Sequence, residues 1–249
     1  MTEPWEADRN LAMLIDGDNA QHTLLAEMID EVSRYGNVTV RRAYGDWTQQ
    51  NLAYWRPEML AHAIQPIQQW RYTTGKNATD SALIIDAMDI LYSGTVHGFC
   101  IVSSDSDYTR LATRIRESGL FVMGIGRTQT PDAFIKSCHV FVRVENLIKI
   151  AELPLDDQVQ VNSNSSDGNA LFDLIHRAFE ISAREDGWAE LGALGNALHR
   201  LDPSFDHRTY GYKSLSHLVN SQPEQFTVKG TKKEGPSSIY VHLEDSSEN

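Results

Sequence analysis

The stretch LAMLIDGDNAQ, residues 11–21, decides the fold. A short apolar run without alternation is the pattern of a strand covered on both faces, which belongs to a parallel sheet flanked by helices. The run stops abruptly, with Asp16, Asp18 and Asn19 inside four positions. Two carboxylates and an amide at a strand's end suit either a tight turn or a polar site.

The chain downstream alternates between strand and helix signals. AQHTLLAEMIDEVSRYG places Leu24, Leu25, Met28, Ile29 and Val32 at helical spacing and offers Gly36 as a stop. VTVRRAYGDW reads as a strand. TDSALIIDAMDILYSG reads as a helix with Leu83, Ile84, Ala87, Met88 and Leu91 in one stripe. GFCIVSS is a second buried strand, DYTRLATRIRESG a helix, LFVMGIG a strand; a short helix at 131–137 and the strand HVFVRV follow. This order predicts an α/β domain with a central, mostly parallel sheet and helices on both faces, a three-layer sandwich. Right-handed crossovers bring every strand's carboxyl end to one edge, where ligands bind in open α/β sheets.

Asp16 and Asp18 follow one strand and Asp105 and Asp107 follow another, so both pairs belong to that edge. Asp80 is in the first turn of the long helix, where the helix dipole favours an anion, on the face of Leu83, Ile84 and Ala87. Asp89 is expected on the solvated side, and Asp86 is a supporting candidate. If Asp16, Asp80, Asp105 and Asp107 converge, like charges repel and some take up protons unless a divalent cation joins them. All-oxygen ligand sets suit Mg²⁺ or Mn²⁺, and carboxylate-bound Mg²⁺ pairs naturally with phosphate chemistry. The alternative is plain: Asp-Gly and Asp-Asn make turns, and Asp107 is well placed to cap a helix.

Net charge is −12, but unevenly spread. Residues 1–151 hold 14 Lys+Arg against 18 Asp+Glu and residues 170–243 hold 8 against 9, while 152–169 and 244–249 together hold seven acids and no base. The overall sign therefore argues against a basic nucleic-acid coat and says little about local working surfaces. Cys100 and Cys138, both in apolar contexts, read as buried thiols. No run reaches the ~20 apolar residues of a spanning helix, and MTEPWEADRN shows no leader pattern, so a cytoplasmic protein is expected. GIGRTQTP lacks the full dinucleotide fingerprint, and DGDNA lacks the closing Glu of a calcium loop.

PLDDQVQVNSNSSDGN, residues 154–169, is polar and free of aromatics, and a flexible linker is expected at 152–169. It separates a first domain, 1–151, from a second, 170–243, with an acidic tail at 244–249. In the second domain Leu171, Leu174, Ile175, Ala178 and Phe179 make one amphipathic helix, AELGALGNALHRL a second, and SLSHLVNS a third after the turn TYGYK. QFTVKG and SIYVHL are two strands joined by TKKEGPS. Three helices and a hairpin describe a small winged helix.

Two resemblances follow. LIDGDNA fits loosely the apolar strand and D-x-D of haloacid-dehalogenase-like phosphatases, although Ala20 stands where that family has Thr or Val. The fuller set, LIDGDNA, GKNATDSALIIDAMDIL, IVSSDSDYTRLATRIRESGLFVMGIG and TPDAFIKSCHVFVRVENL, resembles the NYN domain, the LabA-like branch of the PIN-like nucleases, over about residues 10–148. That resemblance implies metal-dependent RNA cleavage. It implies Asp16, Asp80, Asp105 and Asp107 as metal-binding and catalytic acids, Asn19 as an orienting amide, and Asp18, Lys76 and Ser104 as supporting or phosphate-contacting residues. The second domain resembles the LOTUS domain, also called OST-HTH. That implies binding of RNA, with single strands favoured, or of a protein partner. Arg208, Tyr210 and Lys213 at the third helix and Lys229, Lys232 and Lys233 in the wing are its candidate RNA contacts. A relative that binds RNA without cutting it is the non-enzyme alternative.

Overall fold

The computed structural model describes residues 9–70, 78–152, 166–223, 225–231 and 238–243. The chain divides between Glu152 and Leu153 into two units. In the first, β1 (Asn10–Asp16), α1 (Leu25–Ser33), β2 (Asn37–Gly45), α2 (Trp55–Ala61), β3 (Gln65–Gln68) and α3 (Ala78–Ser93) come in order. They are followed by β4 (Gly98–Val102), α4 (Thr109–Glu117), β5 (Phe121–Gly126), α5 (Asp132–Ser137), β6 (Val140–Arg143) and α6 (Val144–Glu152). The six strands lie in the order β3-β2-β1-β4-β5-β6, and every pairing is parallel.

Alternation along β1 assigns the layers. Leu11, Met13 and Ile15 pack with Leu25, Met28 and Val32 of α1, Trp55 and Met59 of α2 and Leu147 of α6. Ala12 and Leu14 pack on the other face with Leu83 and Ala87 of α3, Leu111 and Ile115 of α4 and Phe134 of α5. By the same period Asp16, the last residue of β1, belongs to the α3–α4 side. The chain runs outward from β1 to β3 and then returns to place β4 beside β1. The order thus reverses between β1 and β4, the topological switch point at which such sheets form ligand crevices.

Some elements differ from the sequence reading. The first helix begins with a 3₁₀ turn at His22–Leu24 and α-helix starts only at Leu25. Gly36 lies beyond its end, at φ +156°, where a Cβ would meet the Arg9 carbonyl oxygen at 2.5 Å. The edge strand β3 and helices α2 and α6 carry no strong sequence signal. Helix overlaps both ends of the expected linker 152–169, since α6 reaches Glu152 and the next helix begins at Ser166; residues 153–165 lie outside the described residues. The tail at 244–249, and with it Lys76, Lys232 and Lys233, lies outside the described residues.

The second unit contains α7 (Ser166–Ser182), β7 (Ala189–Glu190), α8 (Leu191–Leu201), α9 (Leu215–Asn220), β8 (Phe226–Thr231) and β9 (Ser238–Leu243). Its core joins Leu171, Ile175 and Phe179 to Leu194, Leu198, Leu218 and Val241. The expected hairpin is a three-stranded antiparallel sheet, β7-β9-β8, because Ala189 and Glu190 pair with Val241 and Tyr240. No helix among the described residues is long and apolar enough to cross a membrane.

Candidate metal centre

The site grows from the end of β1. The amides of Asn19 and Ala20 both donate to the Asp16 carbonyl, at 3.2 and 2.8 Å, closing the DGDNA turn. Gly17 fits because a Cβ there would stand 2.8 Å from both the Trp47 ring and the Tyr44 carbonyl oxygen. The turn separates its two acids: the Asp16 carboxylate is wholly buried and Asp18 is exposed.

Asp16 is held by neutral donors. Its Oδ2 accepts from Asn19 Nδ2 at 2.6 Å, Ser103 Oγ at 3.0 Å and the Tyr108 hydroxyl at 3.3 Å. Its Oδ1 accepts from the Asp18 amide at 3.1 Å. Burial pushes the Asp16 carboxyl above its ordinary range, the Asn19 and Ser103 hydrogen bonds oppose that, and the neighbouring Asp80 adds to it.

The loop after β4 brings the second group. Ser103 Oγ accepts from the Asp105 amide at 3.1 Å while donating to Asp16, so one hydroxyl ties the two strand ends together. Asp105 Oδ1 accepts from the Asp107 amide at 2.9 Å and caps the 3₁₀ turn Ser106–Tyr108 that leads into α4. Asp80, in the first turn of α3, accepts from the Tyr108 hydroxyl at 2.8 Å. One oxygen from each of Asp80, Asp105 and Asp107 lies within 4.8 Å of the others. Burial raises the Asp80 carboxyl, Tyr108 opposes it, and Asp105, Asp107 and Asp18 raise it further by repulsion. Three carboxylates this close form an all-oxygen donor set that a hard divalent cation fits.

Three of the four expected metal acids thus come together, and Asp16 stands behind them, joined through the Tyr108 hydroxyl. Asn19 orients Asp16. Asp18 accepts from Thr79 Oγ1 at 3.2 Å and sits beside Asp80. Ser104 turns the other way, its Oγ accepting from the Arg127 amide at 2.9 Å. Asp86 is engaged with Arg42 and Tyr44 of β2 and fastens α3 to the sheet. The residues of the site without a sequence signal are Ser103 and Tyr108. Asp46, just past β2, accepts from Thr48, Gln49 and Gln68, and the Thr48 and Gln68 hydrogen bonds bring its carboxyl down to about 2.

In the second unit, the Arg208 side chain is 9% exposed and grips Asp206, with Nη2–Oδ2 at 2.7 Å and Nε within 2.9 Å of both oxygens. Its charge is used inside the fold. The Tyr210 ring is 6.3 Å from that of Phe205, against the core. Lys213 is exposed, and the Lys229 ammonium lies 5.7 Å from the centre of the Trp188 ring.

A family model for the NYN domain matches residues 10–145, and one for the OST-HTH/LOTUS domain matches residues 170–238. Among solved structures, the chain is similar to the crystal structure of a protein of unknown function from Vibrio parahaemolyticus. The identity is 18%, over 58% of this chain and 96% of that one, with a TM-score of 0.47. It is also similar to the solution NMR structure of an uncharacterized protein from Nitrosomonas europaea, with 28% identity over 39% of this chain and 90% of that one and a TM-score of 0.30. None of the curated proteins matches the chain.

Proposed function

We propose, from the premise that this chain belongs to the NYN domain family, that its first domain hydrolyses RNA phosphodiester bonds with a divalent cation, Mg²⁺ or Mn²⁺. NYN membership favours this reading over the dehalogenase-like phosphatase. The observation that carries the reading is the meeting of Asp80, Asp105 and Asp107 oxygens at the switch point, within 4.8 Å of one another.

In this reading Asp80, Asp105 and Asp107 hold the ion, and Asp16 completes the acidic set from behind. A cation bound there supplies Lewis acidity toward a phosphoryl oxygen and acidifies water. The chain's own residues do the positioning. Tyr108 donates to Asp80 and to Asp16, fixing both carboxylates. Ser103 and Asn19 donate to Asp16 and oppose the rise that its burial causes. Water adds to phosphorus, a P–O bond breaks, and a phosphate monoester and a hydroxyl are left on the two RNA ends.

The OST-HTH/LOTUS domain serves as the RNA-holding module and raises the local RNA concentration through its tether. Lys213, Lys229, Lys232 and Lys233 are its proposed phosphate contacts. The test is cleavage of an end-labelled single-stranded RNA with Mn²⁺ and with EDTA, by the wild type and by Asp105→Asn. Cleavage by the wild type with Mn²⁺ alone is expected. Tight RNA binding with no cleavage by either protein would instead identify an RNA-binding adaptor.

A further inference from the structure

The edge that carries the acids also carries aromatic rings that no step above uses. His22 lies in the 3₁₀ turn after β1, and Tyr54 lies in the segment after β2, the neighbouring strand. Their rings stack, with centroids 5.9 Å apart and planes 14° apart. Tyr54 is nevertheless 69% exposed, so it stays largely open to solvent. Single exposed aromatics are ordinary on protein surfaces. A ring held flat by a second ring, at a sheet's ligand-binding edge, is a more specific arrangement.

The pair is linked through two further rings to the end of β1. The His22 ring is 6.0 Å from that of Trp55, and Trp55 is 6.1 Å from Trp47. Trp47 lies against Gly17, next to Asp16, and is fixed there by its Nε1 donating to the Ile67 carbonyl at 3.1 Å. Trp70, 54% exposed just beyond β3, extends the same edge. Trp55 is 2% exposed, so the row passes through the core and links the open Tyr54 ring to the end of β1 from beneath.

We propose that the His22–Tyr54 stack is a base-stacking subsite that holds a nucleobase of single-stranded RNA beside the cleavage site. Every base offers a π-face, and an unpaired base stacks on a preformed aromatic platform without sequence preference. This rests on RNA being the substrate, but it does not need the acids to be active.

The test uses the full chain, a single-stranded RNA carrying fluorescent 2-aminopurines, and EDTA to prevent cleavage. Tyr54→Ala is expected to weaken binding about tenfold and to lose the fluorescence quenching that marks a stacked base, while Tyr54→Phe keeps both. Because Tyr54 is exposed, unchanged circular dichroism is expected for both variants. Equal affinity and quenching for wild type and Tyr54→Ala would overturn the subsite even where Mn²⁺-dependent cleavage is normal. Tyr54-dependent quenching in a wild type that never cuts would uphold the subsite and overturn the ribonuclease reading. A wild type that neither binds nor cuts RNA would overturn both.

Discussion

Two buried aspartates, one in each domain, are treated in opposite ways. Asp16 at the end of β1 is fully buried, and Asp206 before the third helix of the second domain is 7% exposed. Burial pushes both carboxyls up. At Asp206, Arg208 more than reverses this through hydrogen bonds and charge, and the net shift is downward. At Asp16 the donors are neutral, the nearest charge is another acid, and the net shift is upward. Among the described residues no Lys or Arg pairs with Asp16 or Asp80. The second domain sets a cation beside its buried acid; the first sets another acid beside Asp16.

Removing an acid from the first domain should have the largest consequence. Asp105→Asn is expected to abolish Mn²⁺-dependent RNA cleavage while leaving the fold intact, read by a gel assay alongside circular dichroism. Removing the cation from the second domain should act on stability instead. Arg208→Ala strands a buried carboxylate and is expected to cost that domain about 3–5 kcal/mol in denaturant unfolding. Asp16→Asn removes a buried charge but also turns one hydrogen-bonded oxygen into a donor facing donors, so it should lower cleavage while leaving the metal-free stability of the first domain within about 1 kcal/mol of wild type. A larger weakening of that domain would break the contrast. Tyr108→Phe deletes the hydroxyl shared by Asp80 and Asp16, and cleavage is expected to fall about tenfold, as for partners that orient metal ligands.

The response to pH is smaller and differs in sign between the two domains. Asp16 and Asp80 keep protons in the folded state above their ordinary pKa of 3.8. Without metal, these two carboxyls should therefore cost the first domain stability as pH rises from 3.8 through their raised values, while Asp46, brought down to about 2, acts in the opposite sense only below 3.8. Asp206 sits below 3.8 when folded, so the second domain should lose stability as pH falls through that lowered value. Hydrogen exchange resolved by peptide, with intrinsic rates corrected, separates the domains. Slopes of the same sign would contradict the assignment. Added Mn²⁺ should raise first-domain stability most at neutral pH, because the ion must displace protons.

Much of this was legible in the sequence, and the gaps have physical causes. β1, β4 and β5 announce themselves as apolar runs because helices cover both faces. The four-residue edge strand β3, QPIQ, has no buried residue and contains Pro66, so neither burial nor alternation marks it. The acids were readable because strand ends and helix starts have known places in this topology. Strand parity separates Ser103 from Ser104: Phe99 and Ile101 belong to the α3–α4 layer, and Ser103 continues that side. Tyr108 reads as an ordinary core aromatic, and only the tertiary fold aims its hydroxyl at two carboxylates. Asp86 is drawn away by Arg42 and Tyr44, partners more than forty residues distant that no local pattern reveals.

The most direct measurement is the anomalous signal of manganese in crystals of the full chain grown or soaked with MnCl₂. The account predicts a peak within ligand distance, roughly 2–2.3 Å, of oxygens from Asp80, Asp105 and Asp107, and its loss in Asp105→Asn. A well-ordered acidic cluster with no peak at millimolar manganese, or with the ion bound elsewhere, would contradict it.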